Sequence, residues 1–93
     1  MQLEWLESAL LELEGIVTHI ADDKPQAAKK FQVALNKKVQ SLAFFPTMGR
    51  ESHQVADVVI RELVVHQNYV VFYRHDDQRV EIVAVNHVHR NWP

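Results

Sequence analysis

Apolar residues recur every three or four positions through the first part of the chain: Leu6, Ala9, Leu10, Leu13, Ile16, Val17 and Ile20. That is the period of a helix with one buried face, and it predicts a helix over about residues 7–22. Glu7, Glu12 and Glu14 stand early in it, where the helix dipole favours negative charge. Gly15 is an internal cost of about 1 kcal/mol against alanine. "ADDKP" interrupts the pattern: Asp22 or Asp23 suits a helix cap, and Pro25 suits a first turn. Ala28, Phe31, Leu35, Val39 and Leu42 then mark a second helix over about residues 25–43, with Lys24, Lys29, Lys30, Lys37 and Lys38 on its outer side. So short a connection implies an antiparallel helical hairpin.

"FFPTMGRESHQVAD" has no sustained period and reads as a loop around Pro46 and Gly49. Beyond it the period falls to two. "VVIRELVV", "NYVVFYR" and "RVEIVAVNH" are rich in Val, Ile, Tyr and Phe, the composition of strands. "HQN" and "HDDQ" separate them as short turns, which makes an antiparallel meander. "MQLEW" is a candidate short edge strand. The predicted fold is therefore α+β: an N-terminal antiparallel helical hairpin packed on a small three- to four-stranded antiparallel sheet, in a single domain spanning residues 1–93. Both alternate faces of the strands are apolar. One is expected to meet the hairpin, and the other to offer an apolar surface to a partner.

The absence of cysteine excludes disulfides and thiolate metal sites. No apolar run approaches the roughly 18 residues of a membrane span. The opening "MQLEWLESAL" carries Glu4 and Glu7 and no basic start, so it is not expected to be a secretory signal. A cytoplasmic location follows as the plain expectation. Net charge is −2 but unevenly spread: residues 1–23 hold six acids and no Lys or Arg, whereas residues 24–93 hold ten bases and six acids. That balance is too weak to announce a nucleic-acid binder, for which a strongly basic domain is usual.

"LEWLESALLELEGIVTHIADDKPQAA", "FPTMGR", "IREL", "YVVFYR" and "VNHVHRNWP" together resemble the RelE/ParE toxin superfamily, the small toxins of bacterial type II toxin–antitoxin modules. The likeness runs from Leu3 to Pro93 and rests on order and spacing, since no single motif is specific. It implies a helical hairpin on a small antiparallel sheet, and a toxin held inactive in a hetero-oligomer with its antitoxin. It also implies two kinds of target. RelE-like members cut messenger RNA in the ribosome, whereas ParE-like members inhibit DNA gyrase and are linked to plasmid stabilisation.

Metal-free RNA cleavage needs a base for the 2′-hydroxyl, cations for the phosphorane and an acid for the leaving oxygen. The cations on offer are Arg50, Arg61, Arg74 and Arg90; the acid–base groups are His87, His89, His53 and Glu51, with Tyr73 as a further donor. Arg61, Arg74 and His87 fall near positions that ribonuclease members of the family use. The plainer expectation for Arg61 and Arg74 is structural, since Arg61 adjoins Glu62 and Arg74 adjoins Asp76 and Asp77 in the turn; Arg50, which follows Gly49 in the loop, is expected to be structural or a partner contact. His87 and His89 share a strand face if the strand runs straight. Zinc would need a third or fourth ligand from Glu81 or His75, so no metal or other cofactor is expected. His19 reads as a helix-surface residue, His66 as a turn residue and Trp5 as core.

A ribosome-entering nuclease works among dense phosphates, where Lys and Arg supply affinity. This chain is slightly acidic, and four of its five lysines sit on the second helix. The "R.WP" ending also resembles ParE-type members. A gyrase-directed, non-enzymatic toxin is therefore the favoured reading, with Arg61, Arg74, His87, His89, Arg90 and Trp92 as partner-binding residues. The alternatives are a ribosome-dependent endoribonuclease using Arg50, Arg61, Arg74 and His87, and a non-toxic module that only binds an antitoxin.

Overall fold

A computed structural model describes residues 1–66 and 68–88. The elements run β1 (Gln2–Trp5), α1 (Glu7–Asp23), α2 (Pro25–Ser41), β2 (Arg50–Val55), β3 (Val58–His66), β4 (Tyr69–His75) and β5 (Arg79–His87). The hairpin forms as its periodicity predicts. Ala28, Phe31, Leu35 and Val39 put a buried stripe on α2, and Ala9, Leu13, Ile16, Val17 and Ile20 face the same core from α1. Leu10 departs from the expected stripe and is 45% exposed. A single residue, Lys24, ends α1 and begins α2; its N–H donates to the Ile20 carbonyl at 2.8 Å. The expected cap from Asp22 or Asp23 does not form, because α1 continues through both and no side chain caps α2. Pro25 does occupy the first turn of α2, where its missing N–H costs nothing.

The sheet has five strands in the order β1-β5-β4-β3-β2. β3, β4 and β5 make the expected antiparallel meander. The opening strand is indeed an edge strand, but it pairs parallel with β5, from Gln2 opposite Arg79 to Trp5 opposite Ile82. The other edge is a correction to the expected loop. Arg50–Val55 forms β2, antiparallel to β3. Its sequence, RESHQV, has one apolar residue and is exposed at five of six positions, so no buried face imposes a period of two. The ladder to β3 and the Arg50–Glu62 ion pair hold it instead. His66 likewise ends β3 rather than lying in a turn, its ring edge-on to Phe31 at 5.9 Å.

The main core lies between the hairpin and one sheet face. Phe31, Leu35, Val39 and Leu42 meet Val65, Val71, Tyr73, Val80, Ile82 and Val85. A smaller cluster, Ile60, Val70, Phe72 and Ala84 with Val83 against it, occupies the second face. That face is apolar, as expected, but its centre is not a bare surface, since these four are between 2% and 6% exposed. The His53 ring stands edge-on to Phe72 at 6.1 Å, and Arg50 and Glu62 pair beside it.

Ala56 joins β2 to β3 with a φ of 54°, in the left-handed region where a Cβ costs about 1–2 kcal/mol. Ala56→Gly relieves that strain at the expense of a more flexible unfolded chain. We expect a net gain of about 0.5 kcal/mol in denaturant unfolding; a loss would show that the turn relaxes without cost.

Candidate functional site

Four residues from three segments lock the α2–β2 connection to the sheet. Tyr73, fully buried on β4, donates its hydroxyl to the Pro46 carbonyl at 2.7 Å and accepts from the Gly49 N–H at 2.8 Å. Arg61, opposite Tyr73 across the β3–β4 ladder, donates from Nη1 to the Gly49 carbonyl at 2.8 Å. A Cβ on Gly49 would lie 2.7 Å from both the Glu62 carbonyl oxygen and the Tyr73 hydroxyl, so only glycine passes between them. Burial pushes the Tyr73 hydroxyl above the ordinary tyrosine range, outweighing the Gly49 N–H and the Arg61 guanidinium, which pull it down. A group whose pKa is raised on folding contributes stability below its unfolded value, near 10, that is lost as pH rises past it. Unfolding free energy is therefore expected to fall above about pH 10 more steeply in the native chain than in Tyr73→Phe. Equal slopes in pH-dependent denaturation would contradict this.

Arg61 thus holds backbone rather than the neighbouring Glu62, which pairs with Arg50. Arg74 pairs with Glu81 across the β4–β5 ladder, its Nε donating to Oε1 at 2.6 Å. The expected partners Asp76 and Asp77 do not take it. Asp76 instead accepts the Gln78 and Arg79 N–H groups at 2.7 and 2.9 Å, which hold its carboxyl below the usual range.

His87 ends β5 opposite Tyr69. Phe31, Tyr69 and His87 form an edge-to-face series with centroids 5.1 and 5.3 Å apart. A cleft of about 570 Å³ opens beside it, lined by Glu12, Gly15, Ile16, His19, Tyr69 and His87 among others. Glu12 accepts the Val85 N–H at 3.1 Å, supplying an acceptor to a β5 amide lying beyond Ile82, where the pairing with β1 ends. Ionisable side chains on a buried stripe are usually paired, and Glu12 lies three residues after Ala9 and four before Ile16. That position was the sequence signal for its role.

The nuclease candidates are not gathered. Arg61 and His87 lie on the hairpin face, opposite Tyr73 and Tyr69, which are four residues apart on β4 and hence about 13 Å. Arg50 and Arg74 lie on the second face, each joined to a carboxylate. His53 and Glu51 are on the polar edge strand, with the Ser52 hydroxyl 2.6 Å from His53 Nδ1. Among the described residues no group of three or more His, Asp or Glu is placed to hold a metal ion. His75 ends β4 opposite Val80, whereas His87 ends β5 opposite Tyr69, at the other end of the β4–β5 ladder. His89, Arg90 and Trp92 lie outside the described residues. Also among the described residues, no helix is long and apolar enough to cross a membrane.

The β2–β3 turn forms one wall of a second groove, of about 580 Å³. Val55, Ala56 and Val58 face Leu6, Ser8 and Glu12 across a floor of Ile60, Val83 and Ala84, with Arg74 at the rim. Val55 and Val58 are 50% and 39% exposed. The groove is mainly apolar, with the Glu12 carboxylate and the Arg74 guanidinium among its lining.

A two-helix hairpin packed on a five-stranded, mostly antiparallel sheet defines a small α+β domain. The model of the ParE toxin of the type II toxin–antitoxin system parDE matches residues 3–92. The chain belongs to that family: it is a toxin of the type II toxin–antitoxin kind, and the family implies an antitoxin partner. It is 36% identical over 89 residues to the toxin RelE2 of Caulobacter vibrioides, covering 96% of this chain and 97% of that protein. The solved chromosomal ParDE toxin–antitoxin system of P. aeruginosa contains a chain of the same fold, with a TM-score of 0.77 at 22% identity, covering 95% of this chain and 96% of that one.

Proposed function

We propose that this toxin acts on DNA gyrase without cleaving RNA, in the cytoplasm and with no cofactor. Its antitoxin neutralises it by seating a segment in the groove at the β2–β3 turn. The observation that supports a non-nuclease reading is the division of Arg50 and Arg74 from Arg61 and His87 between the two sheet faces. Acid–base cleavage needs its groups within hydrogen-bond reach of one phosphate. Here Arg61 is committed to the Gly49 carbonyl, and Arg50 and Arg74 to carboxylates. A net charge of −2 points the same way, because a nuclease entering the ribosome draws its affinity from positive charge.

Induced alone in bacteria, the chain is expected to stop growth, and the antitoxin encoded beside it to restore growth. Ribosome-bound message stays intact throughout. Message cut at the ribosome, with His87→Ala losing more activity than His66→Ala, would establish the endoribonuclease instead. Undisturbed growth would leave only a non-toxic antitoxin-binding module.

A further inference from the structure

The α2–β2 connection presents two adjacent aromatic side chains to solvent: Phe44 is 79% exposed and Phe45 65%, with Met48 beside them at 44%. Isolated exposed apolar residues are ordinary, but neighbouring aromatic rings left in water mark contact surfaces. Neither phenylalanine lines the grooves described above, so the pair projects as a knob.

The backbone beneath the knob is fixed. The Phe44 and Phe45 N–H groups both donate to the Ser41 carbonyl, at 3.0 and 2.9 Å, and the Met48 N–H donates to the Phe45 carbonyl at 3.0 Å. The Tyr73 hydroxyl holds Pro46 and Gly49, and Arg61 holds Gly49 again. A loop ordered before binding loses little entropy when it docks. The nearby end of α2 is cationic: from Leu35 to Gly49 the chain carries Lys37 and Lys38 and no carboxylate, while Arg50 is paired with Glu62.

We infer that Phe44 and Phe45 are the surface with which this toxin grips its cellular target, separately from the antitoxin groove. The shape decides the kind of partner. An unfolded antitoxin segment needs a groove to lie in, whereas a rigid convex knob needs a preformed pocket on a folded protein. That pocket is apolar at its floor, for the two rings, and carboxylate-rimmed, to match Lys37 and Lys38. The groove at Val55–Val58 lies at the far end of β2, five residues from Arg50 and so about 17 Å away.

The inference rests on the toxin reading above, and the test separates the two. Phe44→Ser/Phe45→Ser is made in the full chain and compared with the native chain in three ways: growth inhibition on induction, antitoxin affinity by titration calorimetry, and sedimentation of the free protein. Both residues are exposed, so the double variant is expected to melt within a few degrees of the native chain. It should bind antitoxin within twofold of native and inhibit growth at least tenfold less. A variant as toxic as the native chain overturns the inference and leaves the toxin reading standing. Loss of antitoxin binding overturns it in favour of an antitoxin surface. A native dimer that the variant breaks overturns it in favour of self-association. Absence of toxicity in the native chain overturns the toxin reading, and the inference with it.

Discussion

Gly49→Ala is expected to lower the unfolding free energy by about 3 kcal/mol or more, a large share of what a domain of this size possesses. Two of the atoms a new Cβ would meet, the Glu62 carbonyl oxygen and the Tyr73 hydroxyl, are each 2.7 Å away. Neither is the loose end of a flexible side chain. The carbonyl belongs to the β3 ladder, and the hydroxyl is fixed by Pro46 and Gly49. The backbone must shift, and the shift breaks the bonds from Gly49 to Tyr73 and Arg61 together. Tyr73→Phe tests the same lock from the other side with no change in shape. It removes the partner of the Gly49 N–H and the donor to the Pro46 carbonyl, and is expected to cost about 2 kcal/mol. The two changes touch one network, so the double variant should be destabilised by less than the sum. A Gly49→Ala protein that unfolds in denaturant within about 1 kcal/mol of native would show that the loop is free to move and the lock is not formed.

Val58→Glu is expected to weaken antitoxin binding at least tenfold, about 1.4 kcal/mol, while leaving the melting temperature nearly unchanged. Val58 is 39% exposed, so a longer polar side chain can be accommodated in the free toxin. In the complex its carboxylate would be pressed against Ile60, Val83 and Ala84, where an unpaired charge is costly. Val55→Glu, on the facing strand of the same turn, should act in the same direction. In cells both variants would remain toxic in the presence of an antitoxin that silences the native chain. Titration of purified antitoxin into each variant is the check, and unchanged affinity in both would place the antitoxin elsewhere on the molecule.

The hairpin and the three-stranded meander were legible because burial writes a period into them. Phe31, Leu35 and Val39 recur at helical spacing, and Val70–Tyr73 form a run buried on both sheet faces. β2 was not legible for the converse reason. An edge strand exposed on both faces needs no apolar alternation, and RESHQV has none. The direction of β1 was also hidden, because a parallel partner 77 residues away leaves no local mark. The family resemblance picked out Gly49, Arg61 and Tyr73 without saying why they belong together. The sequence invited a chemical role for Arg61 and Tyr73, whereas their atoms meet in the bonds that pin Pro46 and Gly49 to the sheet. Arg61 and Arg74 were expected to pair with neighbouring acids, but the strand register gives Arg74 to Glu81 and Glu62 to Arg50, and Arg61 goes to the Gly49 carbonyl.

The most direct measurement of the central claim is the rate at which purified gyrase supercoils relaxed plasmid in the presence of this protein. Micromolar toxin is expected to stop supercoiling, and an equimolar amount of antitoxin to restore it. Supercoiling that proceeds unchanged at micromolar toxin, in a preparation that still arrests growth when produced in cells, would contradict the account.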